Sequence, residues 1–522
     1  MNNLKFSLVV TLLFAFMSIS SVQAQISSKE VDRLVENAMA KFNVAGVSVG
    51  IVKDGKIIHT KGYGVKSIET KKKVNKHTNF AIASNSKAFT TAALAILVEE
   101  GKLSWQDKVK DHIPEFKMYN SYVTENFNIQ DLLTHRSGLG LGVGDLMFFP
   151  DGASFTIDDI LSSFQYFKPQ SAFRTKFDYD NLLYTVAGEV IARVSGMSWE
   201  DFIQKQILNP LDMNNSYSSL SKIEDKSNLA SPHTTGFGAM RISSQFKHVA
   251  NGAAGGIISN VDDLCNWMLV QLNHGKYGEN LEEQLFTEVS QDEMWKIHTA
   301  LPVNRDPRYN SHFAGYGLGW GLTDVKGNLS VSHTGGLPGM LSRTVMIPDL
   351  ELGVVVLTNT ANGGAGVFRA VSQSIVDSYL GLDDFNWTDY YYERYIKSEN
   401  NSDQVSAKVW EIVGSANSDH LNFNDYIGVY EDDWFGKIEI FMNDNQLWFK
   451  SYRSPKLNGP MSYYKANTFA IKWEYQDMIA DAFALFNLDE EGKTQSIKMK
   501  GISPNIDFSF DFQDLDLIRV EN

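Results

Sequence analysis

Strand patterning on both sides of a long helical stretch is what most constrains this 522-residue chain. Val47-Ser48-Val49-Gly50-Ile51-Val52 and Ile57-Ile58 flank a Lys53-Asp54-Gly55-Lys56 turn. Asp-Gly between apolar runs signals a hairpin. Strand patterns return at 319–322, 342–347 and 353–358, and helical spacing dominates 84–273 between them. Helical segments at 26–42 and 366–380 lie outside the strands. This order predicts an α/β (α+β) domain. One antiparallel sheet is built from N- and C-terminal pieces, with a helical region inserted.

Composition shifts near Asp383. Residues 386–420 are polar and uneven, and Lys397-Ser398-Glu399-Asn400-Asn401-Ser402 reads as a linker. From Leu421 the pattern is short strands. Ile438-Glu439-Ile440 and Ile506-Asp507-Phe508-Ser509-Phe510-Asp511-Phe512 alternate with period two. A separate all-β domain, a barrel or sandwich, is expected over 421–522.

Residues 1–24 read as a secretory signal. Lys5 supplies the positive start, an apolar run follows, and Val22-Gln23-Ala24 offers a cleavage site after Ala24. The apolar run is shorter than the roughly 20 residues a spanning helix needs. The expected location is therefore periplasmic or secreted, with no stable membrane anchor after cleavage, and residues 25–385 form the first mature domain. A net charge of -15 argues against nucleic acid as a partner. Cys265 is the only cysteine, so no internal disulfide forms and the core alone supplies stability. Its helical setting, Val261-Asp262-Asp263-Leu264-Cys265-Asn266-Trp267-Met268, predicts a buried thiol.

Ser84-Asn85-Ser86-Lys87 opens a run to Gly101 that reads as one helix with an apolar face. A hydroxyl and an amine three residues apart share a helix face and can touch. A serine hydroxyl is a poor nucleophile until a base takes its proton. A lysine, with a free pKa of about 10.4, can be that base only where burial or the positive end of a helix pulls its pKa down. The tetrapeptide also occurs by chance as a helix cap followed by a solvated lysine. Two further motifs follow it. Tyr179-Asp180-Asn181 precedes a helical pattern, and His333-Thr334-Gly335-Gly336 precedes Leu337-Pro338-Gly339 and a strand region. Thr334 and His333 could bind a substrate carboxylate.

These three motifs, in this order, resemble the serine β-lactamase and penicillin-binding protein superfamily, in its class C-like branch. That branch holds β-lactamases, D-aminopeptidases, carboxypeptidases and esterases. Asp131-Leu132-Leu133-Thr134-His135-Arg136-Ser137-Gly138-Leu139, Gly255-Gly256-Ile257-Ile258-Ser259, Tyr316-Gly317-Leu318-Gly319-Trp320 and Val354-Val355-Val356-Leu357-Thr358-Asn359 look like the same branch. The resemblance runs from about Val44 to about Tyr379. It implies that Ser84 is acylated, that Lys87 is its base or proton relay, and that Tyr179 passes the proton to the leaving group. Asn181 would hold substrate and lysine. The N–H groups of Ser84 and Gly336 would form an oxyanion hole. The C-terminal domain looks like a lipocalin-like extension, through which an oligomer could form.

The sequence also departs from that pattern. His333 stands where β-lactamases have a lysine, so a permanent charge becomes a group that titrates near pH 6.5. Asp180 replaces a small residue, and Arg174-Thr175 stands where Pro-Gly is common. The expected activity is an acyl-enzyme serine hydrolase for a small-molecule or peptide substrate with a peptide, amide or ester bond. No cofactor or metal is implied. A true β-lactamase and a penicillin-binding sensor without turnover are the alternatives. Gly46-Val47-Ser48-Val49-Gly50 matches a nucleophile elbow, but that elbow needs strand, turn and helix, and here the strand continues. His135 is expected to be a satisfied structural histidine.

Overall fold

The computed structural model describes residues 25–520, apart from positions 237 and 248. The expected signal segment 1–24 lies outside the described residues. Helix α1 (Ser28–Phe42) opens the fold with a capping box in which Ser27 and Glu30 satisfy each other's backbone N–H groups. The hairpin β1 (Gly46–Lys53) and β2 (Lys56–Gly64) follows. The helical region includes α2 (Ser86–Glu99), α3 (Leu182–Ser195) and α4 (Val261–Leu272). The chain then returns to the sheet through β3 (Thr299–Ala300), β4 (Ala314–Tyr316), β5 (Gly321–Val325), β6 (Asn328–Leu337), β7 (Met340–Ile347) and β8 (Leu352–Thr358).

These strands form one antiparallel sheet in the order β2-β1-β8-β7-β6-β5-β4-β3. The N-terminal hairpin is therefore stitched to the last strand, Val47 facing Thr358 and Lys53 facing Leu352. β8 is buried along its whole length and β1 is buried up to Lys53. Both read as continuous apolar runs because both sheet faces are covered. On one face α1 and α5 (Gly364–Tyr379) pack through Val35, Phe42, Val367 and Val371. On the other, α4 comes so close that a side chain at Gly50 would meet the Cys265 sulfur. Cys265 is buried, and burial pushes its thiol pKa well up, so the thiol stays protonated.

The stretch 386–420, expected as a linker, is instead a helix, α6 (Trp387–Ser415), capped by Asn386. Tertiary anchors override its weak periodicity. Trp387 donates from Nε1 to Asp377, and Tyr392 and Tyr395 pack against Phe42. Further along, Ser402 bonds Ser503 of the C-terminal domain.

That domain is a closed eight-stranded barrel, β9 (Gly428–Asp432), β10 (Gly436–Asn443), β11 (Gln446–Ser451), β12 (Asn458–Lys465), β13 (Thr468–Ile471), β14 (Ala482–Leu488), β15 (Thr494–Gly501) and β16 (Leu517–Val520). Each strand pairs with the next, and β9 closes on β16. Alternating residues such as Ile438, Ile440, Phe449, Phe486 and Ile497 are buried, the alternation that closed barrels impose. Residues 506–512, whose alternation predicts a strand, do not form one. Residues 509–512, polar and apolar alike, are buried instead, because the segment is pressed between the barrel and the first domain. Aromatic pairs cross that boundary, Phe155 with Phe435 and Phe167 with Trp434. Among the described residues no helix is long and apolar enough to cross a membrane.

Candidate active site

Ser84 does not begin an α-helix. It sits in a short 3-10 turn, Ala83–Asn85, and α2 starts at Ser86. Ala83 holds a positive φ of 49°, a costly conformation for a residue with a side chain. Its neighbours fix the turn. The Asn85 amide donates to the Ser342 hydroxyl over 2.8 Å, which donates to the Ile82 carbonyl over 2.7 Å. The Ser86 hydroxyl accepts from the Ile257 N–H over 3.1 Å. Strand β7 and the loop before α4 therefore hold the turn from two sides.

Lys87, one turn on, is fully buried. Its Nζ donates to Ser84 Oγ over 3.2 Å, to Asn181 Oδ1 over 2.7 Å and to the Ala254 carbonyl over 2.9 Å. The rings of Tyr179 and Tyr184 flank the amine, with centroids at 4.8 and 5.1 Å. Burial pulls the Lys87 pKa down to about 7, against the pull of Asp145 and Asp180. No carboxylate touches the amine, so desolvation wins over Coulomb attraction. The Tyr179 side chain lies beside Ser84 and Lys87, and burial pushes its pKa well above the ordinary phenol value, so it stays neutral.

His333-Thr334-Gly335-Gly336 lies in β6. Strand β5 pairs with β6 only as far as Ser332, so residues 333–337 present an edge that β5 leaves free. Leu337 and Met340 close the two-residue Pro338-Gly339 turn. Alternation from that turn aims the Gly336 N–H away from β7. Gly335 is required by close approach, since a Cβ there would collide with the Ile82 carbonyl and sit 3.0 Å from the Ser84 nitrogen. His333 Nδ1 donates to the Thr334 carbonyl and its Nε2 accepts from the Tyr316 hydroxyl. Burial drives its pKa down to about 3, with Lys87 adding to the effect. The expected titration near pH 6.5 is thus overturned, because the buried ring is held neutral.

A cavity of about 900 Å³ opens over this site, and Ser84, Tyr179, Asn181, His333, Thr334 and Gly336 line it. Lys87 lies beneath its floor, and Gly335 packs against the Ser84 turn. Ser48 stays in mid-strand, buried, its hydroxyl donating to the Lys61 carbonyl over 3.3 Å, far from any elbow geometry. Among the described residues, no group of His, Cys, Asp or Glu side chains could hold a metal ion.

His135, expected as a satisfied structural histidine, is structural but bonded at one ring nitrogen only, whereas Asp145, Phe508 and Ser509 escaped the sequence reading. The His135 ring packs tilted against the Tyr179 ring, with centroids 4.2 Å apart, and accepts from the Asp180 N–H through Nδ1, so it braces the tyrosine motif. Its Nε2 is buried without a partner. Asp145 is buried and accepts from Asn181 Nδ2 over 2.8 Å. Burial raises the Asp145 carboxyl to about 7 and Asp180 to about 8. Phe508 and Ser509 of the C-terminal domain also line the cavity. The period-two pattern gave no sign of this, because it assigns Phe508 to a core face and Ser509 to a solvent face.

The profile of the Beta-lactamase family matches residues 31–373, and that of a domain of unknown function, DUF3471, matches 415–519. Unguisins hydrolase ungD' of Aspergillus campestris is 27% identical over 69% of this chain and 67% of its own length. Protein flp of Staphylococcus aureus is 27% identical over 64% of this chain and 63% of its own. The chain thus spans about two thirds of these relatives. Among solved structures, the octameric penicillin-binding protein homologue from Pyrococcus abyssi superposes with a TM-score of 0.60 at 21% identity, covering 95% of this chain and all of that one. At that identity the likeness speaks for the fold. With its profile matched over most of the length, the chain belongs to the Beta-lactamase family.

Proposed function

We propose that this protein is an exported serine hydrolase that forms an acyl-enzyme on Ser84 and cleaves peptide, amide or ester bonds. The observation that carries the reading is the 3.2 Å contact between Ser84 Oγ and a buried Lys87 whose pKa lies near 7. A lysine that is partly neutral at physiological pH can take the serine proton as Oγ attacks a carbonyl. The N–H groups of Ser84 and Gly336 would receive the oxyanion, and such a donor contributes about 10²–10³ in rate. Tyr179, neutral and beside Ser84, would pass the proton from Lys87 to the leaving group by accepting at one lone pair and donating its own hydrogen. Water would then attack the acyl group by the reverse route. Asn181 would hold the lysine and the substrate.

A neutral His333 offers no permanent cation to a substrate carboxylate at this position. That favours peptidase or esterase chemistry over penicillin hydrolysis. The free edge of β6 beside the cavity suits an extended peptide backbone. The test is mass spectrometry of full-length protein treated with a fluorophosphonate probe, followed by turnover of esters, D-amino acid amides and β-lactams. Label on Ser84 and turnover lost in Ser84→Ala support the reading. Label elsewhere, or turnover surviving that variant, overturns it. A stable label with no turnover identifies the sensor. N-terminal sequencing of the exported protein tests cleavage after Ala24, and native mass spectrometry tests assembly through the barrel.

A further inference from the structure

Asp145 is the point where the two domains meet beneath the site. Its Oδ2 accepts from Asn181 Nδ2 and from Ser509 Oγ, each over 2.8 Å. Asp511 accepts from the N–H groups of Gly144, over 2.7 Å, and Leu146, over 2.8 Å, the residues on either side of Asp145. Ser509 and Asp511 lie between β15 and β16 of the barrel, more than 360 residues along the chain. The same loop carries Gly142, whose N–H donates to the Tyr179 carbonyl over 2.8 Å. Barrel and tyrosine motif therefore grip the Asp145 loop from opposite sides.

The chemistry of this junction is directional. An ionised carboxylate only accepts hydrogen bonds, so Asp145 compels Asn181 to present its amide nitrogen. The amide oxygen is then left facing Lys87, where it accepts over 2.7 Å. Without Asp145 the amide can rotate and set its nitrogen against the amine. We infer that Ser509 and Asp511 of the C-terminal barrel are positioning residues of the hydrolytic site, acting on Lys87 through Asp145 and Asn181. The inference rests on Lys87 being the base proposed above.

The same contacts carry charge. Asp145 is faced by Lys87, Asp180, Asp507 and Asp511. Lys87 is faced by Asp145, Asp180, Tyr179 and Tyr184, with the neutral rings of His135 and His333 nearby. The Ser509 hydroxyl favours the ionised form of Asp145, which in turn holds a proton on Lys87. Removing that hydroxyl leaves Asp145 protonated to higher pH. The negative charge near Lys87 then weakens, and the amine loses its proton at lower pH.

The experiment follows fluorophosphonate labelling of Ser84 in full-length protein from about pH 5 to 9, the range in which the groups titrate. It compares wild type with Ser509→Ala, Ser509→Thr, Asp145→Asn and Asp511→Asn. In Ser509→Ala and Asp145→Asn the acidic half-point moves down by about half a pH unit, as expected for weakened charge. The plateau falls about tenfold through misorientation of Asn181. Ser509→Thr keeps both at wild-type values. Asp511→Asn lowers the plateau. Ser509→Ala removes one hydroxyl from a segment that Asp511 still holds, so it gives a folded sample, checked by its melting temperature. A wild-type profile and plateau in Ser509→Ala and Asp145→Asn overturn the inference. Absence of Ser84 label in wild type overturns the proposed function instead.

Discussion

His333 accepts from the Tyr316 hydroxyl through Nε2, at 2.9 Å, and donates from Nδ1 to the Thr334 carbonyl at 2.6 Å. A carbonyl can only accept, so Nδ1 carries the proton, and a neutral ring leaves Nε2 free to accept from Tyr316. Burial lowers its pKa to about 3. The imidazole resonances of His333 are therefore expected to stay fixed in NMR titration between about pH 5 and 8, where an exposed histidine moves. Movement in that range would contradict the buried neutral ring.

Lys87 gives the pH dependence its sign. The amine must lose its proton to act as base, so acylation rises with pH through the neighbourhood of 7. Asp145 and Asp180 titrate in the same region, so the apparent half-point belongs to the cluster. Lys87→Ala is expected to reduce Ser84 labelling by about 10²–10⁴. A stopped-flow pH profile that is flat from acid to neutral would count against this.

Gly335 and Gly336 should respond differently to alanine. At 335 the added carbon meets backbone of the Ser84 turn, whereas at 336 its nearest neighbour is the Leu341 side chain at 3.4 Å. Gly335→Ala pushes β6 away from the nucleophile. It should cost about 1–3 kcal/mol of stability and most of the acylation rate. Gly336→Ala should melt like wild type. Calorimetry and probe labelling of the pair test the contrast.

Arg453 clips the barrel to the hydrolase domain. Its guanidinium makes two bonds to Asp159, of 2.8 and 2.6 Å, one to the Ser154 carbonyl, and lies 4.1 Å over Phe155. The Arg453 bond holds the Asp159 carboxyl down to about 2. A carboxyl lowered in the folded state stabilises above its unfolded pKa, and the gain is lost as pH falls through the folded value. Solvent around the partly exposed pair limits this gain to about 1 kcal/mol. Arg453→Lys should lower the melting temperature more at neutral pH than near pH 2, where only the Ser154 and Phe155 contacts are still lost. An equal loss at both pH values would assign the effect to packing alone.

The strands at both ends of the first domain were legible because their apolar runs end in turn residues. Ser84, Lys87, Tyr179, Asn181 and His333 were legible as motifs, and the fold brings four of them to the wall of one cavity with Lys87 bonded beneath Ser84 and Asn181. Asp145 was not, because a lone aspartate in a glycine-rich loop acquires meaning only from Asn181 and Ser509. The 506–512 segment misled because alternation reports two different faces, not which two. In a strand one face meets solvent. Here Phe510 and Phe512 enter the core while Ser509 and Asp511 turn to the Asp145 loop. The polar stretch around α6 hid a helix because its anchors are a few aromatic contacts, not a continuous apolar stripe.

The pairing of β1 with β8 sets an order of events for the newborn chain. Val49 finds its partner Val356 only after some three hundred further residues have been made. Closing so long a loop is entropically costly and slow. Until then an apolar hairpin with one unsatisfied edge waits in the open, a template for wrong pairing. The expected bottleneck in producing this protein is therefore capture of its first strand, and a chaperone that shields residues 46–64 during synthesis should raise the yield of active enzyme more than one acting on the barrel.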